Sequence, residues 1–206
     1  MARMTQQIYA SLESIDIEAL NKPSTLLVVV DMIKGFIETG NMADQAIQEI
    51  IPSQLKIVEE LNQAQHLYFV DCHEKDCQEF KCFLNHCEVG SKECEIADEL
   101  NNDAKQSKII YKNSTNGFLA PEFSNDLKTN LDYDHFVIIG CCTDICVMQF
   151  ALTLQTYIHQ YDLNKSVEVI VDGVDTYHID QVHDATVFND MAFRLMKASG
   201  IKCVKL

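Results

Sequence analysis

A strand-length apolar run that passes directly into a helical pattern constrains this fold more than any other feature of the sequence. The run 137–139 ends at Gly140, and the helical pattern begins at Val147 and continues to about Tyr161. A strand that enters a helix through a short turn places backbone N–H groups and the positive end of the helix dipole at that turn. The stretch therefore predicts a strand–turn–helix unit of an α/β sheet, with a turn that favours negative charge.

Two residues of this turn, Asp144 and Cys146, point to chemistry. Asp144 is predicted to cap the helix, because its carboxylate can accept a hydrogen bond from a first-turn N–H group. Cys146 then lies in the first turn, where the helix dipole favours the thiolate and lowers the pKa of the thiol. We interpret Cys146 as a nucleophile. The alternative is a buried core cysteine, which is a common state of a free thiol.

Six apolar runs of strand length alternate with helical patterns along the chain. The predicted strands are residues 26–30, 66–70, 107–111, 135–139, 167–171 and 201–204. The predicted helices are residues 43–65, 121–130, 147–161 and 180–199. This alternation predicts a three-layer, doubly wound α/β fold whose mostly parallel six-stranded sheet has helices on both faces. We assign residues 1–24 to an N-terminal extension and residues 25–206 to a single domain.

Charge and hydropathy exclude several classes of partner. The formal net charge of −15 argues against nucleic acid, which requires a basic patch, and weakly against an anionic membrane surface. No apolar run approaches the length of a membrane span, and the first ten residues lack the apolar region of a signal peptide. We therefore expect a cytoplasmic protein that binds neither nucleic acid nor a membrane. A homo-oligomer is compatible with the sequence.

Charged or nucleophilic side chains follow four of the predicted strands: Asp31, Asp71, Lys112 and Cys146. The carboxyl ends of parallel strands share one edge of a sheet, so these groups can meet in one crevice. A thiol nucleophile needs a base and a group that stabilises the thiolate; Asp31 is the candidate base and Lys112 the candidate cation. Taken singly, Asp31 is better explained as a cap and Lys112 as a surface lysine, so the prediction depends on their convergence.

A second constellation has the composition of a metal site. Asp71 and His73 lie two residues apart at a strand end, and Glu79 and His86 follow in a long loop. Carboxylates and imidazoles together suit Zn²⁺, Mn²⁺ or Fe²⁺. The alternative is a pair of surface histidines in a polar loop.

The nine cysteines are expected to be thiols or metal ligands in a reducing compartment. Four of them recur every five residues, with a fifth just beyond: Cys72, Cys77, Cys82, Cys87 and Cys94. Cys72 and Cys87 are rival ligands for the candidate metal site. A thiol-rich metal-binding or redox-sensing protein is therefore an alternative from another functional class.

Together these residues resemble the isochorismatase-like cysteine hydrolase superfamily, and within it the nicotinamidases, from about Leu26 onward. Asp31 with Phe36 resembles the D-x-x-x-x-F segment of the family, and Lys112 with Phe118 its K-x-x-x-x-x-F segment. The most specific match is GCCTDICV, which begins at residue 140 and resembles G-x-x-T-D-x-C-V.

The resemblance implies a catalytic triad of Cys146, Asp31 and Lys112. It also implies a cis peptide between Cys141 and Cys142, which would direct the Cys142 amide, with that of Cys146, at a developing oxyanion. Both amides are therefore candidate members of an oxyanion hole.

The resemblance also implies one divalent metal ion, with zinc the first expectation and manganese or iron the alternatives. Asp71, His73 and His86 match the ligands that separate nicotinamidases from most of their relatives. Glu79 resembles the extra carboxylate ligand of one nicotinamidase branch.

Phe36 and Phe83 are implied to enclose an aromatic substrate ring. The resemblance is incomplete around them, because residues 83–86 contain no proline where the family has a proline-rich approach to the second histidine. Residues 90–93 and 150–151 also depart from the family pattern. These departures concern the substrate pocket more than the triad.

The expected function is hydrolysis of nicotinamide to nicotinate and ammonia by a metal-containing cysteine amidase, through a thioester intermediate. The expected partner is a small carboxamide. The nearer alternative is the same chemistry on another small amide or on isochorismate.

Overall fold

The computed structural model describes residues 3–206, and within them a seven-stranded sheet pairs every neighbouring strand in parallel. The strands are β1 (Glu13–Ser14), β2 (Thr25–Val30), β3 (Gln65–Asp71), β4 (Lys108–Lys112), β5 (His135–Gly140), β6 (Ser166–Val174) and β7 (Lys202–Lys205). Their order across the sheet is β1-β7-β6-β5-β2-β3-β4. The predicted parallel α/β architecture is confirmed, with one strand more than the six expected. The additional strand is β1, which is too short to produce a recognisable pattern.

Helices follow most of the strands. They are α1 (Gln6–Ala10), α2 (Ile17–Leu20), α3 (Lys34–Ile37), α4 (Ile51–Glu60), α5 (Asn101–Ala104), α6 (Pro121–Ser124), α7 (Leu127–Asn130), α8 (Met148–Gln160) and α9 (Ala185–Ala198). Short 3-10 helices lie at Gln45–Ile50, Gln78–Lys81, Lys92–Cys94, Asp98–Leu100 and Gly117–Leu119. None of the described helices combines the length and apolar character needed to cross a bilayer.

Helix boundaries differ from the predicted ones where a cap or a proline intervenes. The predicted helix over 43–65 divides into a 3-10 segment and α4, whose first turn contains Pro52. Proline is favoured there because its missing N–H would have no partner within the helix. The last predicted helix starts at Ala185 rather than at 180, because the Asp184 carboxylate accepts a hydrogen bond from the Val187 amide.

The interior strand β2, between β5 and β3, is buried along its whole length. Leu26, Val28 and Val30 pack into the apolar cluster on one face of the sheet, and Leu27 and Val29 into the cluster on the other. Each fully buried aliphatic side chain of this kind contributes about 1.5–3 kcal/mol. A continuous apolar run is therefore what a strand covered on both faces requires.

The N-terminal segment packs against the sheet. Ile8 and Leu12 are buried in the same cluster as one face of β2. Glu13 and Ser14 then pair in parallel with the edge strand β7. Residues 3–24 thus contribute both core and sheet edge.

The chain order creates a switch point between β2 and β5. From β2 the chain adds β3 and β4 on one side, and it then returns to place β5 on the other. Ligand sites of open α/β sheets form at the carboxyl ends of the strands beside such a point. Gly140 ends β5 there with φ +129°, and a Cβ on it would lie 2.0 Å from the Val30 carbonyl oxygen. Only glycine allows β5 to end so close to β2.

We expect Gly140→Ala to lower the free energy of unfolding by about 2–4 kcal/mol, through strain at positive φ and overlap with Val30. Gly90→Ala is the matched control, because Gly90 also has a positive φ but a Cβ added there would meet no atom within 4 Å. That control should lose only about 1 kcal/mol. Urea denaturation measures both, and equal losses would contradict the close-approach argument.

Candidate active site

Three side chains from three separate segments meet at the carboxyl edge of the sheet: Asp31, Lys112 and Cys146. The Lys112 ammonium lies 2.8 Å from the Asp31 carboxylate and 3.8 Å from the Cys146 sulfur. All three residues are buried. The structure therefore brings together the acid, the amine and the thiol that the sequence predicts to converge.

Asp31 occupies a backbone conformation that non-glycine residues rarely adopt, with φ +50°. Its amide donates to the Phe69 carbonyl at 3.0 Å, and its own carbonyl accepts from the Ile33 amide at 2.8 Å. Such a conformation costs about 1–3 kcal/mol and persists only where neighbouring contacts determine it. Those contacts turn the carboxylate away from the strand path and into the crevice.

The pKa of Asp31 is raised to about 7, chiefly by burial, against the lowering effect of the Lys112 ammonium. Interaction with the Cys146 thiol also lowers this pKa, but by less than burial raises it. A carboxylate with so high a pKa is a stronger base than an exposed aspartate, so it can accept a proton near neutral pH.

Burial alone would lower the pKa of Lys112, but the Asp31 and Asp71 carboxylates outweigh it and raise that pKa well above its usual value. Lys112 is therefore a permanent cation. For Cys146, burial raises the pKa of the thiol well above its usual value, and the opposing effect of Lys112 does not cancel it. The prediction of a thiol pKa lowered by the helix dipole is wrong for this structure, because desolvation and nearby carboxylates dominate. A base is needed to form the thiolate.

The turn that carries Cys146 is a π-helical turn, Thr143–Val147, which leads into α8. The peptide between Cys141 and Cys142 is cis, as the family resemblance implies. The Cys142 carbonyl accepts from the Ile145 and Val147 amides at 3.1 and 3.2 Å. This arrangement places Cys146 within the first helical turn, as predicted.

Asp144 does not cap this helix. The π-helical turn has no side-chain cap, and the Asp144 carboxylate instead lies 3.0 Å from Nε2 of His183. The cap prediction is wrong because the Cys142 carbonyl and the wide turn organise the helix start. His183 is stacked between Tyr177 and Phe188, with ring centroids 4.0 and 3.8 Å away.

Asp71 connects the three converging groups to the predicted metal ligands. One of its oxygens lies 2.9 Å from the Lys112 ammonium. The other lies 2.9 Å from Nε2 of His73 and 3.3 Å from Nε2 of His86. The carboxylate is thus shared between a cation of the protein and a pair of imidazoles.

Asp71, His73, Glu79 and His86 form a group whose donor atoms all lie within 4.8 Å of one another. The Nε2 atoms of His73 and His86 are 3.2 Å apart, and Oε1 of Glu79 lies 3.9 Å from Nε2 of His73. An ion bonded at about 2.0–2.2 Å to such ligands places neighbouring donors roughly 3.0–3.6 Å apart. The spacing of Asp71, His73 and His86 fits a divalent cation, and Glu79 lies farther out.

The outer nitrogens of the two histidines support the same conclusion. Nδ1 of His86 lies 2.7 Å from the Leu84 carbonyl, and Nδ1 of His73 lies 3.2 Å from the Asn113 side-chain oxygen. When Nδ1 donates to these acceptors, both Nε2 atoms present lone pairs to one another and to Asp71. A cation between them removes that repulsion, so the donor set matches a metal site of nitrogen and oxygen ligands.

The rival thiol ligands lie outside this group. Cys87 is buried and Cys72 is half-buried, and neither belongs to the described cluster of metal-ligating atoms. The Cys77 sulfur lies 3.4 Å from Nδ1 of His73, the ring nitrogen opposite the one that faces Asp71. Among residues 3–206 all nine cysteines are free thiols.

A small pocket adjoins both groups. Its cavity volume is only about 20 Å³, within about 300 Å³ of atom-free space that includes its open mouth. Its lining consists of Phe36, Met42, Asp71, Glu79, Phe83, His86, Thr115, Cys142, Ile145, Cys146 and Tyr177. Both predicted aromatic contacts therefore line it, and so do Cys142 and Cys146. Met42, Thr115, Ile145 and Tyr177 were not predicted, because single apolar or hydroxyl residues in loops carry no chemical pattern.

A larger cavity lies at the opposite edge of the sheet, where β2 and β3 begin. Its walls include His66, Asp103 and Lys108, and the His66 imidazole lies 2.8 Å from the Asp103 carboxylate. The Asp103 carboxylate is already bonded to that imidazole and accepts a hydrogen bond from the Tyr68 hydroxyl. Chemistry rather than size therefore identifies the smaller pocket as the candidate active site.

The fold and this pocket define a class: a doubly wound α/β protein with an acid, a lysine and a thiol at the switch point of a parallel sheet. A family model described as an isochorismatase domain matches residues 25–200. The chain belongs to the isochorismatase family, and its similarity to a known nicotinamidase supports an amidohydrolase.

Known relatives span nearly the whole chain. Nicotinamidase 1 of Arabidopsis thaliana is 28% identical over 214 residues, covering 90% of this chain and 87% of that protein. N-carbamoylsarcosine amidase of Thermoplasma acidophilum superposes with a TM-score of 0.70 at 24% identity, covering 88% and 95%. Pyrazinamidase of Pyrococcus horikoshii in complex with zinc superposes with a TM-score of 0.68 at 22% identity, covering 89% and 100%. The two structures establish the shared fold.

Proposed function

We propose that this protein is a metal-containing cysteine amidase that hydrolyses nicotinamide to nicotinate and ammonia. The observation that carries the proposal is the position of Lys112. Its ammonium lies 2.8 Å from Asp31, 2.9 Å from Asp71 and 3.8 Å from the Cys146 sulfur. One cation thus joins a base, a nucleophile and a cluster of metal-ligating side chains. The similarity to Nicotinamidase 1 supports nicotinamide as the substrate.

The proposed reaction begins with proton transfer from Cys146 to Asp31, whose raised pKa suits it as the base. The thiolate, stabilised by Lys112, attacks the carboxamide carbon, and the carbonyl π electrons move to oxygen. The amides of Cys142 and Cys146 hydrogen-bond the resulting oxyanion. Collapse breaks the C–N bond, and Asp31 returns its proton to the departing ammonia.

The second half of the reaction hydrolyses the thioester. The Asp31 carboxylate removes a proton from water, and the hydroxide attacks the acyl carbon. Collapse breaks the C–S bond, the proton held by Asp31 returns to the Cys146 sulfur, and the product leaves as nicotinate after losing its own proton to solvent. Asp31 therefore acts as base and as acid in both halves.

Asp71, His73, Glu79 and His86 would hold the divalent ion. When bound, it supplies a Lewis acid that can hold the pyridine nitrogen of nicotinamide. Zinc is the first candidate, since a zinc complex is known for the structurally similar pyrazinamidase. The apolar walls contributed by Phe36 and Phe83 suit a single aromatic ring.

This proposal includes a setting and a domain organisation. We infer a cytoplasmic enzyme of NAD salvage, in which residues 25–206 form the hydrolase domain and residues 1–24 are an extension of it. The family match begins at residue 25, which supports that boundary.

A second candidate is the same chemistry on another small amide. It is favoured by the structural similarity to N-carbamoylsarcosine amidase and by the departure of residues 83–86 from the nicotinamidase pattern. The two candidates share every step at Cys146 and differ only in the group that the pocket accepts.

The decisive experiment measures ammonia release by purified, zinc-loaded protein from nicotinamide, pyrazinamide and N-carbamoylsarcosine, with isochorismate hydrolysis assayed in parallel. Preference for nicotinamide in kcat/KM supports the proposal. Preference for another substrate would retain the proposed mechanism but assign it to that substrate. Absence of turnover on all four contradicts it and favours the thiol-rich binding protein.

We expect His86→Ala to lower the affinity for zinc by about 100-fold or more, because an imidazole ligand is lost. Elemental analysis after exhaustive buffer exchange gives the metal content. His159→Ala is the control, because His159 is an exposed histidine near the end of α8. In the protein without substitutions, alkylation of the exposed Cys82 and its neighbours should leave the metal content unchanged. Loss of metal on alkylation alone would favour thiolate ligands.

A further inference from the structure

Arg3 lies outside the segment that matches the family, yet it reaches two loops beside the candidate active site. We propose that Arg3 is a positioning residue that clamps these two loops together and thereby sets the affinity of the pocket for its substrate. The loops are residues 40–44 and residues 175–178. The inference depends on the proposed function only for its kinetic readout, since the clamp itself has a structural readout.

The first loop is held through Asp44. Nη1 of Arg3 lies 2.9 Å from the Asp44 carboxylate. The Asp44 amide donates to the Phe36 carbonyl at 3.0 Å, so this loop is also bonded to a residue of the pocket wall. Met42, two residues earlier, lines the pocket itself.

The second loop is held through Asp175. Nε of Arg3 lies 2.9 Å from this carboxylate, whose side chain is only 1% exposed, and Nη2 donates to the Thr176 carbonyl. The next residue, Tyr177, lines the pocket. The Asp175 carbonyl in turn accepts from the Thr143 amide at 3.1 Å, at the start of the turn that carries the nucleophile.

The arginine is itself fixed in place by α9. The side-chain amide of the buried Asn189 donates to the Arg3 carbonyl at 2.8 Å and to Asp175 at 2.7 Å. The Thr5 amide donates to the Asp190 carboxylate at 3.1 Å. The guanidinium is therefore held in place beside both loops.

Charge and shape both favour an arginine at this position. Asp44 and Asp175 are like charges on separate loops, and they repel one another unless a cation lies between them. A planar guanidinium can donate to two carboxylates and a carbonyl at once, whereas a lysine ammonium is a point charge without that fixed fork. Without Arg3 the two loops keep the bond from the His178 amide to the Asp44 carboxylate at 2.9 Å but lose the cation between Asp44 and Asp175. We therefore expect the loops to loosen and the walls formed by Met42 and Tyr177 to move apart.

The kinetic test compares Arg3→Gln with Arg194→Gln, which removes the other arginine of the chain from an exposed position on α9. We expect Arg3→Gln to raise KM for nicotinamide about 5–10-fold while kcat changes less than about twofold, because Asp31, Lys112 and Cys146 lie on other segments. Arg3→Lys should give an intermediate KM. Arg194→Gln should match the parent protein.

A purely structural role would give a different result. Loss of folded protein lowers apparent kcat in proportion and leaves KM unchanged. Asp44→Asn provides a milder second variant, and combining it with Arg3→Gln should raise KM by less than the product of the two single effects. A KM within twofold of the parent in Arg3→Gln, or fully multiplicative effects, would overturn the clamp.

Hydrogen exchange tests the clamp without any substrate. Amides of residues 40–44 and 175–178 should exchange faster in Arg3→Gln than in Arg194→Gln, while those of β2 and β5 stay unchanged. Faster exchange in a protein that releases no ammonia from nicotinamide would uphold the clamp and reject the proposed substrate. Unchanged exchange in both loops would reject the clamp whatever the activity.

Discussion

Cys146→Ala protein is expected to release no ammonia from nicotinamide above background, a loss of roughly 10⁴–10⁶-fold in kcat. The sulfur supplies the bond that holds the acyl group, and an alanine side chain has no atom that can form that bond. Alanine fills less space in the same buried turn, so the fold should persist. Ammonia release in a coupled assay measures the loss, and circular dichroism and the melting temperature check the fold.

Cys203→Ala is the matched control for this change. Cys203 is also a buried free thiol, but it lies on β7, where its sulfur is 3.7 Å from the Phe193 carbonyl. It should retain parent kcat while losing some stability. Substantial turnover by Cys146→Ala would reject the thioester mechanism, and equal losses in both variants would indicate a general effect on folding.

Asp31→Asn is expected to lower kcat/KM by about 10³-fold or more, because the amide cannot accept the thiol proton or return it to ammonia. It also leaves Lys112 with Asp71 as its remaining carboxylate neighbour. The turn geometry should survive, since asparagine is among the residues that tolerate positive φ. Steady-state assays of ammonia release measure kcat/KM for this variant and for the parent protein.

The pH dependence gives this prediction a second readout. Asp31 must be unprotonated to act as the base, and its pKa is raised to about 7. In the parent protein kcat/KM should therefore fall as pH is lowered through about 7, rather than through the range near 4 that is usual for an aspartate. The residual activity of Asp31→Asn should lack that acidic limb.

Asp172→Asn separates a general effect of buried carboxylates from the proposed role. Asp172 is also buried and follows a predicted strand run, but it accepts from the Tyr9 hydroxyl and the Leu206 amide, away from the pocket. It should keep parent kcat/KM and its pH profile. An unaltered acidic limb in Asp31→Asn would contradict the assignment of the base.

The sheet was predictable because its central strands are covered on both faces. Runs such as 26–30 and 135–139 contain no polar alternation, which distinguishes them from half-exposed strands and from helices. The two-residue β1 could not be found in this way, since its side chains are exposed and its place is set by pairing with β7. The buried strands could be predicted from their composition. The edge strand β1 could not, because its position depends on tertiary contacts.

The site was predictable where chemistry is encoded in residue type. Asp31, Lys112 and Cys146 each have an ordinary structural explanation, but all three follow predicted strands, and the structure places them together. Met42 and Tyr177 were missed because their role comes only from the loops that carry them. The direction of the thiol pKa was also missed, since burial at the turn is a property of the packed molecule.

Asp71 offers one oxygen to Lys112 and the other to His73 and His86. Substituting it would remove a candidate metal ligand and one of the two carboxylate neighbours of the lysine in the same step. Substituting His73 or His86 instead would leave that neighbour of the lysine in place. Among the four candidate ligands, Asp71 is therefore the residue whose loss would also change the charge beside the candidate nucleophile.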